Sequence, residues 1–91
     1  MGRRARLRPT RLAEKLREVR TSLGLSQTEI HNRLGFDVHY SRISEYELGK
    51  NEPPLPILLR YAEMAGVCVD VLINDSLDLP EKLPARPKHR T

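Results

Sequence analysis

Tryptophan is absent from this 91-residue chain, phenylalanine occurs once and tyrosine three times. Any core must therefore be built mainly from aliphatic side chains. A chain this short makes one domain and buries a modest share of its surface, which excludes a multidomain enzyme. The single cysteine, Cys68, has no partner within the chain, so a disulfide scaffold is excluded. A lone thiol fits a reducing compartment such as the cytoplasm. No apolar run approaches the roughly 20 residues of a membrane span. The N-terminal arginines have no apolar stretch behind them and do not read as a secretory signal. Arg6 stands where a myristoylation signal wants Ser or Thr. A glycine-rich phosphate loop is missing, and so is any Ser, His and Asp set with a nucleophile context. The histidines, His31, His39 and His89, lack metal-ligand spacing with a cysteine or carboxylate pair. No catalytic activity, metal or other cofactor is expected, and neither is a membrane partner or a small-molecule substrate.

Charge is plentiful but unevenly placed. Residues 1–20 carry eight Lys or Arg against two Glu. Residues 21–80 reverse this, with four against nine acidic residues, and residues 81–91 return to four against one. The basic ends suit a polyanion such as nucleic acid, the plainer reading being a pair of solvated tails.

Hydrophobic spacing predicts five helices and no strands. Residues 1–9 read as a disordered basic arm closed by Pro9, with Thr10 placed to cap helix 1. Leu12, Leu16, Val19 and Leu23 recur at helical spacing over about 11–23, leaving Lys15, Arg17 and Arg20 off the stripe. Gly24 follows, where a left-handed C-cap needs it. Ser26 and Glu29 then have capping-box spacing, with Leu25 and Ile30 as a hydrophobic staple. Helix 2 covers about 27–34 and stops at Gly35. Helix 3 covers about 40–48 and stops at Gly49, with Ile43 and Tyr46 or Glu47 inward. Its cap is Asp37 or His39, of which Asp is the better capping residue. Pro56 suits the first turn of helix 4. The apolar stripe there is Leu55, Leu58, Leu59, Ala62 and Ala65, ending at Gly66. Helix 5 covers about 67–73, with Cys68 at its cap as a half-buried filler. The expected core is Leu12, Leu16, Ile30, Leu34, Ile43, Leu58, Leu59 and Leu72, with Tyr46 and Tyr61 packing and His31 on the surface of helix 2. Residues 75–91 read as a flexible, basic, proline-containing tail after a domain of residues 10–74.

Two short helices joined by a glycine-led turn make a helix-turn-helix pattern. Specific residues strengthen it. They are Leu-Arg-Glu-Val-Arg at 16–20, Gly-Leu-Ser-Gln at 24–27, Arg-Leu-Gly at 33–35 and Ile-Ser-Glu-Tyr-Glu-Leu-Gly-Lys at 43–50. Pro53, Leu-Leu-Arg-Tyr-Ala at 58–62 and Gly-Val at 66–67 follow. On these residues the chain resembles the Cro and phage-repressor (XRE-type) helix-turn-helix family over Leu12 to Ile73. The resemblance implies an all-α, compact five-helix lambda-repressor-like domain whose third helix enters the DNA major groove and whose dimers bind paired half-sites. It implies that Gln27, at the start of helix 2, touches the DNA backbone, where the helix dipole favours an anion. Tyr40, Ser41 and Glu45 match base-reading positions, Arg42 lies among them, and Lys50 matches a residue that reaches phosphate. Thr28, His39 and Ser44 complete the candidate DNA-binding set with Arg3, Arg4 and Arg6 of the arm. Glu47 is implied to lie inward, hydrogen-bonded within the fold.

The side chains are suited to such work. Arg42 can pair with guanine O6 and N7, Ser41 can donate or accept, and Glu45 can accept from a cytosine amine. Glu45 repels phosphate wherever it finds no cytosine. Three features depart from the family pattern. The segment between Gly35 and Ile43 is two residues longer than the usual turn, Leu48 replaces a polar residue, and Pro54 replaces the usual cap. The function expected is sequence-specific binding of double-stranded DNA as a transcriptional regulator, by a homodimer in the cytoplasm on the nucleoid. Leu72, Ile73, Leu77 and Leu79 are the apolar candidates for the dimer contact. Two alternatives remain: an antitoxin that represses its own promoter and holds a protein partner through the tail, or an interaction module that has lost its DNA face.

Overall fold

Five α-helices build the computed structural model, which describes residues 9–84. They are α1 (Leu12–Ser22), α2 (Gln27–Leu34), α3 (Ser41–Leu48), α4 (Leu55–Ala65) and α5 (Val69–Ile73). Helix α2 starts at the expected capping box. The Glu29 amide donates to Ser26 Oγ at 3.0 Å and the Ser26 amide to Glu29 Oε1 at 2.7 Å. Gly24, Gly35, Gly49 and Gly66 all take positive φ, as helix-ending glycines do. At Gly49 the chain leaves α3 through a Schellman turn. The Gly49 amide donates to the Tyr46 carbonyl at 3.2 Å, and the Lys50 amide reaches back to the Glu45 carbonyl at 2.9 Å.

The core joins Leu12, Leu16 and Val19 of α1 to Ile30 and Leu34 of α2, Ile43 and Tyr46 of α3, five residues of α4, and Leu72 of α5. Each Leu, Ile or Val side chain so buried stabilises the fold by roughly 1.5–3 kcal/mol. Helix α1 lies against α3, α4 and α5, while α2 lies against α3 and α4, so α3 is held from two sides. The buried face of α4 differs from the expected stripe. It runs through Ile57, Leu58, Tyr61, Ala62 and Ala65, and leaves Leu55 66% and Leu59 48% exposed. Helix α4 is apolar nearly all round, so spacing alone cannot choose its inner face; packing Tyr61 at the centre does. Cys68 occupies the N-cap position of α5 as expected, but its side chain makes no cap bond and is exposed rather than half-buried.

The two residues just before α1 are tied down from far along the chain. Thr10 does not cap the helix. The Asp75 carboxylate accepts from the Thr10 amide at 2.9 Å, the Thr10 hydroxyl at 2.8 Å and the Arg11 amide at 3.0 Å. Arg11 continues the tie, to the Asp75 carbonyl at 2.8 Å and the Asp78 carboxylate at 2.8 Å. Lys15, expected off the stripe, is only 1% exposed. Its ammonium donates to the carbonyls of Val71 at 2.7 Å, Asn74 at 3.0 Å and Leu77 at 2.7 Å. Burial and the nearby Arg11 charge push this ammonium's pKa below its usual value. The expected domain boundary at residue 74 therefore runs through a shared hydrogen-bond network. Leu72 is buried in the core and offers no surface for a dimer contact, Leu79 is half-buried against the core, and Ile73 and Leu77 are exposed.

Candidate nucleic-acid interface

Helix α3 has an inner and an outer face. Ile43 and Tyr46 point into the core, and Glu47 joins them with its side chain 4% exposed. Buried charge needs a partner, and Arg20 of α1 supplies it. Arg20 Nε donates to Glu47 Oε2 at 2.7 Å and Nη2 to Oε1 at 3.0 Å, while Nη1 reaches the Leu25 carbonyl at 3.0 Å. The bonded Glu47 carboxylate raises the Arg20 pKa against the opposing effect of burial. Gln27 of α2 adds a bond from Nε2 to Glu47 Oε1 at 3.2 Å. One carboxylate thus ties α1, α2 and α3 together, and Glu47 lies inward as the resemblance implied. The Gln27 amide keeps a second N–H for another acceptor.

The lengthened turn before α3 is shaped by two histidines. His31 is half-buried instead of lying free on the surface, and its Nε2 donates to the Val38 carbonyl at 2.6 Å. Val38 packs against the core and so takes up the extra length. The cap of α3 comes from His39, not Asp37. The Ser41 amide donates to His39 Nδ1 at 3.2 Å, and the Ser41 hydroxyl lies 2.9 Å from the same nitrogen. The residue in N-cap position is Tyr40, which bears no side-chain cap bond of its own. Its ring tilts beside His39, with centroids 5.1 Å apart, and is 57% exposed.

The outer face gathers most of the expected site residues. His39, Tyr40, Ser41, Arg42 and Lys50 are exposed, and Ser44 and Glu45 are partly so. Thr28 is exposed on the first turn of α2, and Gln27 is half-buried beside it. Arg3, Arg4 and Arg6 lie outside the described residues. Glu45 is not left to face phosphate alone: its Oε1 accepts from Arg42 Nη1 at 3.1 Å and from Asn51 Nδ2 at 2.7 Å. Asn51 was not among the expected residues. The signal for it was Gly49, whose left-handed turn carries the following residues back over the last turn of α3. Leu48, at the end of the helix, is 65% exposed. Pro9 and Thr10 share a cleft with Gly49, Asn51 and Glu52, at the C-terminal end of α3.

Among the described residues, no cluster of His, Cys, Asp and Glu side chains is placed to hold a metal ion. None of the described helices is long and apolar enough to cross a membrane.

Two comparisons bear on this arrangement. A helix-turn-helix family model matches residues 16–72, which contain α2, α3, α4 and nearly all of the core. The chain is also 36% identical over 73 residues to YonR of Bacillus subtilis (strain 168), described as an SPbeta prophage-derived uncharacterized HTH-type transcriptional regulator. That match covers 77% of this chain and 66% of the relative, so the chain spans just under two thirds of YonR's length. With α3 presented outward on a frame of α1, α2 and α4, and the family match spanning that frame, the chain belongs to the Cro and phage-repressor (XRE-type) helix-turn-helix family.

Proposed function

We propose that this protein binds double-stranded DNA sequence-specifically as a transcriptional regulator, with α3 in the major groove. One observation carries the reading: the Glu47 tie turns Glu47 inward and leaves Ser41, Arg42 and Tyr40 on a common exposed surface. Arg42 keeps N–H groups for guanine beyond the one bonded to Glu45, since a guanidinium has five donors. Gln27, Thr28 and Lys50 contact backbone phosphates on either side of the groove, and Ser44 and His39 line its edges. Arg3, Arg4 and Arg6 follow phosphates or enter the adjacent groove. The position of Pro9 beside Gly49 and Asn51 supports this, because it starts the arm at the DNA-proximal end of the fold. The protein acts in the cytoplasm on the nucleoid as a homodimer on paired half-sites, with Ile73 and Leu77 at the dimer contact.

Selection of duplexes from a random pool, followed by titration at several salt concentrations, tests the reading. A preferred duplex should emerge. If the dimer makes about eight phosphate contacts, log K against log salt should slope near −7. Deleting residues 2–8 should flatten that slope and leave the preferred duplex unchanged. Binding without any preference, or none at all, would reject the reading in favour of a protein-interaction role. An unaltered slope would reject the arm's part in it.

A further inference from the structure

We propose that Asn51, which lies outside α3, is a positioning residue for base recognition: it holds Glu45 so that Glu45 and Arg42 together read a cytosine and a guanine. The inference rests on α3 being the base-reading helix. Its starting point is the shared oxygen. Glu45 Oε1 accepts from both Asn51 Nδ2 at 2.7 Å and Arg42 Nη1 at 3.1 Å. The geometry of Asn51 is not accidental to a mobile loop. The Schellman turn at Gly49 pins Lys50 to the Glu45 carbonyl, and Asn51 is the next residue.

In the free protein these bonds lie at the surface, where water competes and an ion pair contributes little. Against DNA the balance changes. A carboxylate brought close to phosphates and stripped of water is unfavourable unless its oxygens are bonded. Arg42 and Asn51 occupy Oε1 and leave Oε2 to accept from a cytosine N4 amine. Asn51 also does for Glu45 what Arg42 alone cannot. A second donor fixes the carboxylate, so the guanidinium can spend one N–H on Glu45 and still present two others to guanine O6 and N7. The surface is therefore selective for a G·C-containing step beneath the first turns of α3, and it disfavours steps that offer Glu45 no amine.

The test uses the full chain, its selected duplex, and duplexes altered one pair at a time. The wild type should favour G·C at a position whose preference disappears in Glu45→Ala. Asn51→Ala should lower the preference at that position by about five- to tenfold, within the range one good side-chain–base pairing contributes. Its thermal midpoint and its salt slope should stay unchanged. Asn51→Asp, which sets a second carboxylate against Glu45, should lower the preference at least as far. If Asn51→Ala weakens every duplex equally, Asn51 is a phosphate contact or a structural residue and the proposal is overturned. A fully retained preference overturns it too. If Glu45→Ala alters no preference, the proposal is overturned while the reading of α3 stands; if the wild type has no preference, that reading fails first and takes the proposal with it.

Discussion

Replacing Glu47 with alanine should cost this domain much of its stability, even though Glu47 sits on the helix assigned to DNA. The substitution deletes two charge-assisted hydrogen bonds from Arg20, at 2.7 and 3.0 Å, and one from Gln27 at 3.2 Å. Removing one partner of a buried ion pair costs about 3–5 kcal/mol, because the other charge is left behind. The Arg20 side chain retains 15% exposure, so it can turn partly toward water. That places the loss near the lower end, at about 3 kcal/mol. A domain of this size has roughly 5–15 kcal/mol in all, and each kcal/mol moves the thermal midpoint by about 4–8 °C. The midpoint of the Glu47→Ala helical signal, followed by circular dichroism, should therefore fall by about 12–24 °C. Pairing Arg20→Met with Glu47→Leu should recover most of the loss, since an apolar pair leaves no buried charge unmatched. A fall of less than about 4 °C for Glu47→Ala would refute the reasoning, as it would mean the tie is worth under about 1 kcal/mol.

Two further substitutions probe other parts of the frame. Tyr61 is fully buried, and its hydroxyl finds no hydrogen-bond partner among the described residues. Burial holds its pKa far above the usual value. Tyr61→Phe should stabilise the domain by about 0.5–1.5 kcal/mol, because an unsatisfied buried hydroxyl costs about 1–3 kcal/mol; a lowered midpoint in the same melt would show that the hydroxyl has a partner. Asp75→Asn addresses pH. Bonds from the Thr10 amide, the Thr10 hydroxyl and the Arg11 amide hold the Asp75 carboxyl below its ordinary value of 3.8 in the folded chain. Between the folded and unfolded values the unfolded chain binds more protons, so stability rises with pH there. The contribution is complete above the unfolded value and is lost as pH falls through the folded one. Midpoints of the wild type and Asp75→Asn, measured from about pH 6 down to about pH 2, should differ at the upper end and converge at the lower. A gap that persists unchanged into acid would exclude Asp75 as the ionised partner of Thr10 and Arg11.

Much of the fold was legible before any coordinates. The capping box at Ser26 and Glu29, and the glycines at 24, 35, 49 and 66, mark helix ends by local backbone chemistry, and local chemistry is what a sequence states directly. The expected helices match the observed ones to within two residues at each end. Local rules failed where a distant group supplies the partner. Thr10 has the chemistry of a cap, but its hydroxyl is taken by Asp75, 65 residues away. Lys15 reads as a solvated face because its three carbonyl acceptors belong to α5 and the segment after it. At α3 the reason is different: Asp37 is the better capping residue by type, but His39, two residues before Ser41, is the one whose Nδ1 meets the Ser41 amide.

The sequence alone therefore determined where helices begin and end, that the core is aliphatic, and which family motif the chain carries, because these depend on near neighbours and on periodicity. The tertiary structure decided which face of α4 is buried, that Glu47 is a structural tie, and that Glu45 shares an oxygen with Arg42 and Asn51. Each of those outcomes depends on how helices are placed in space, and no spacing rule along one helix contains that information.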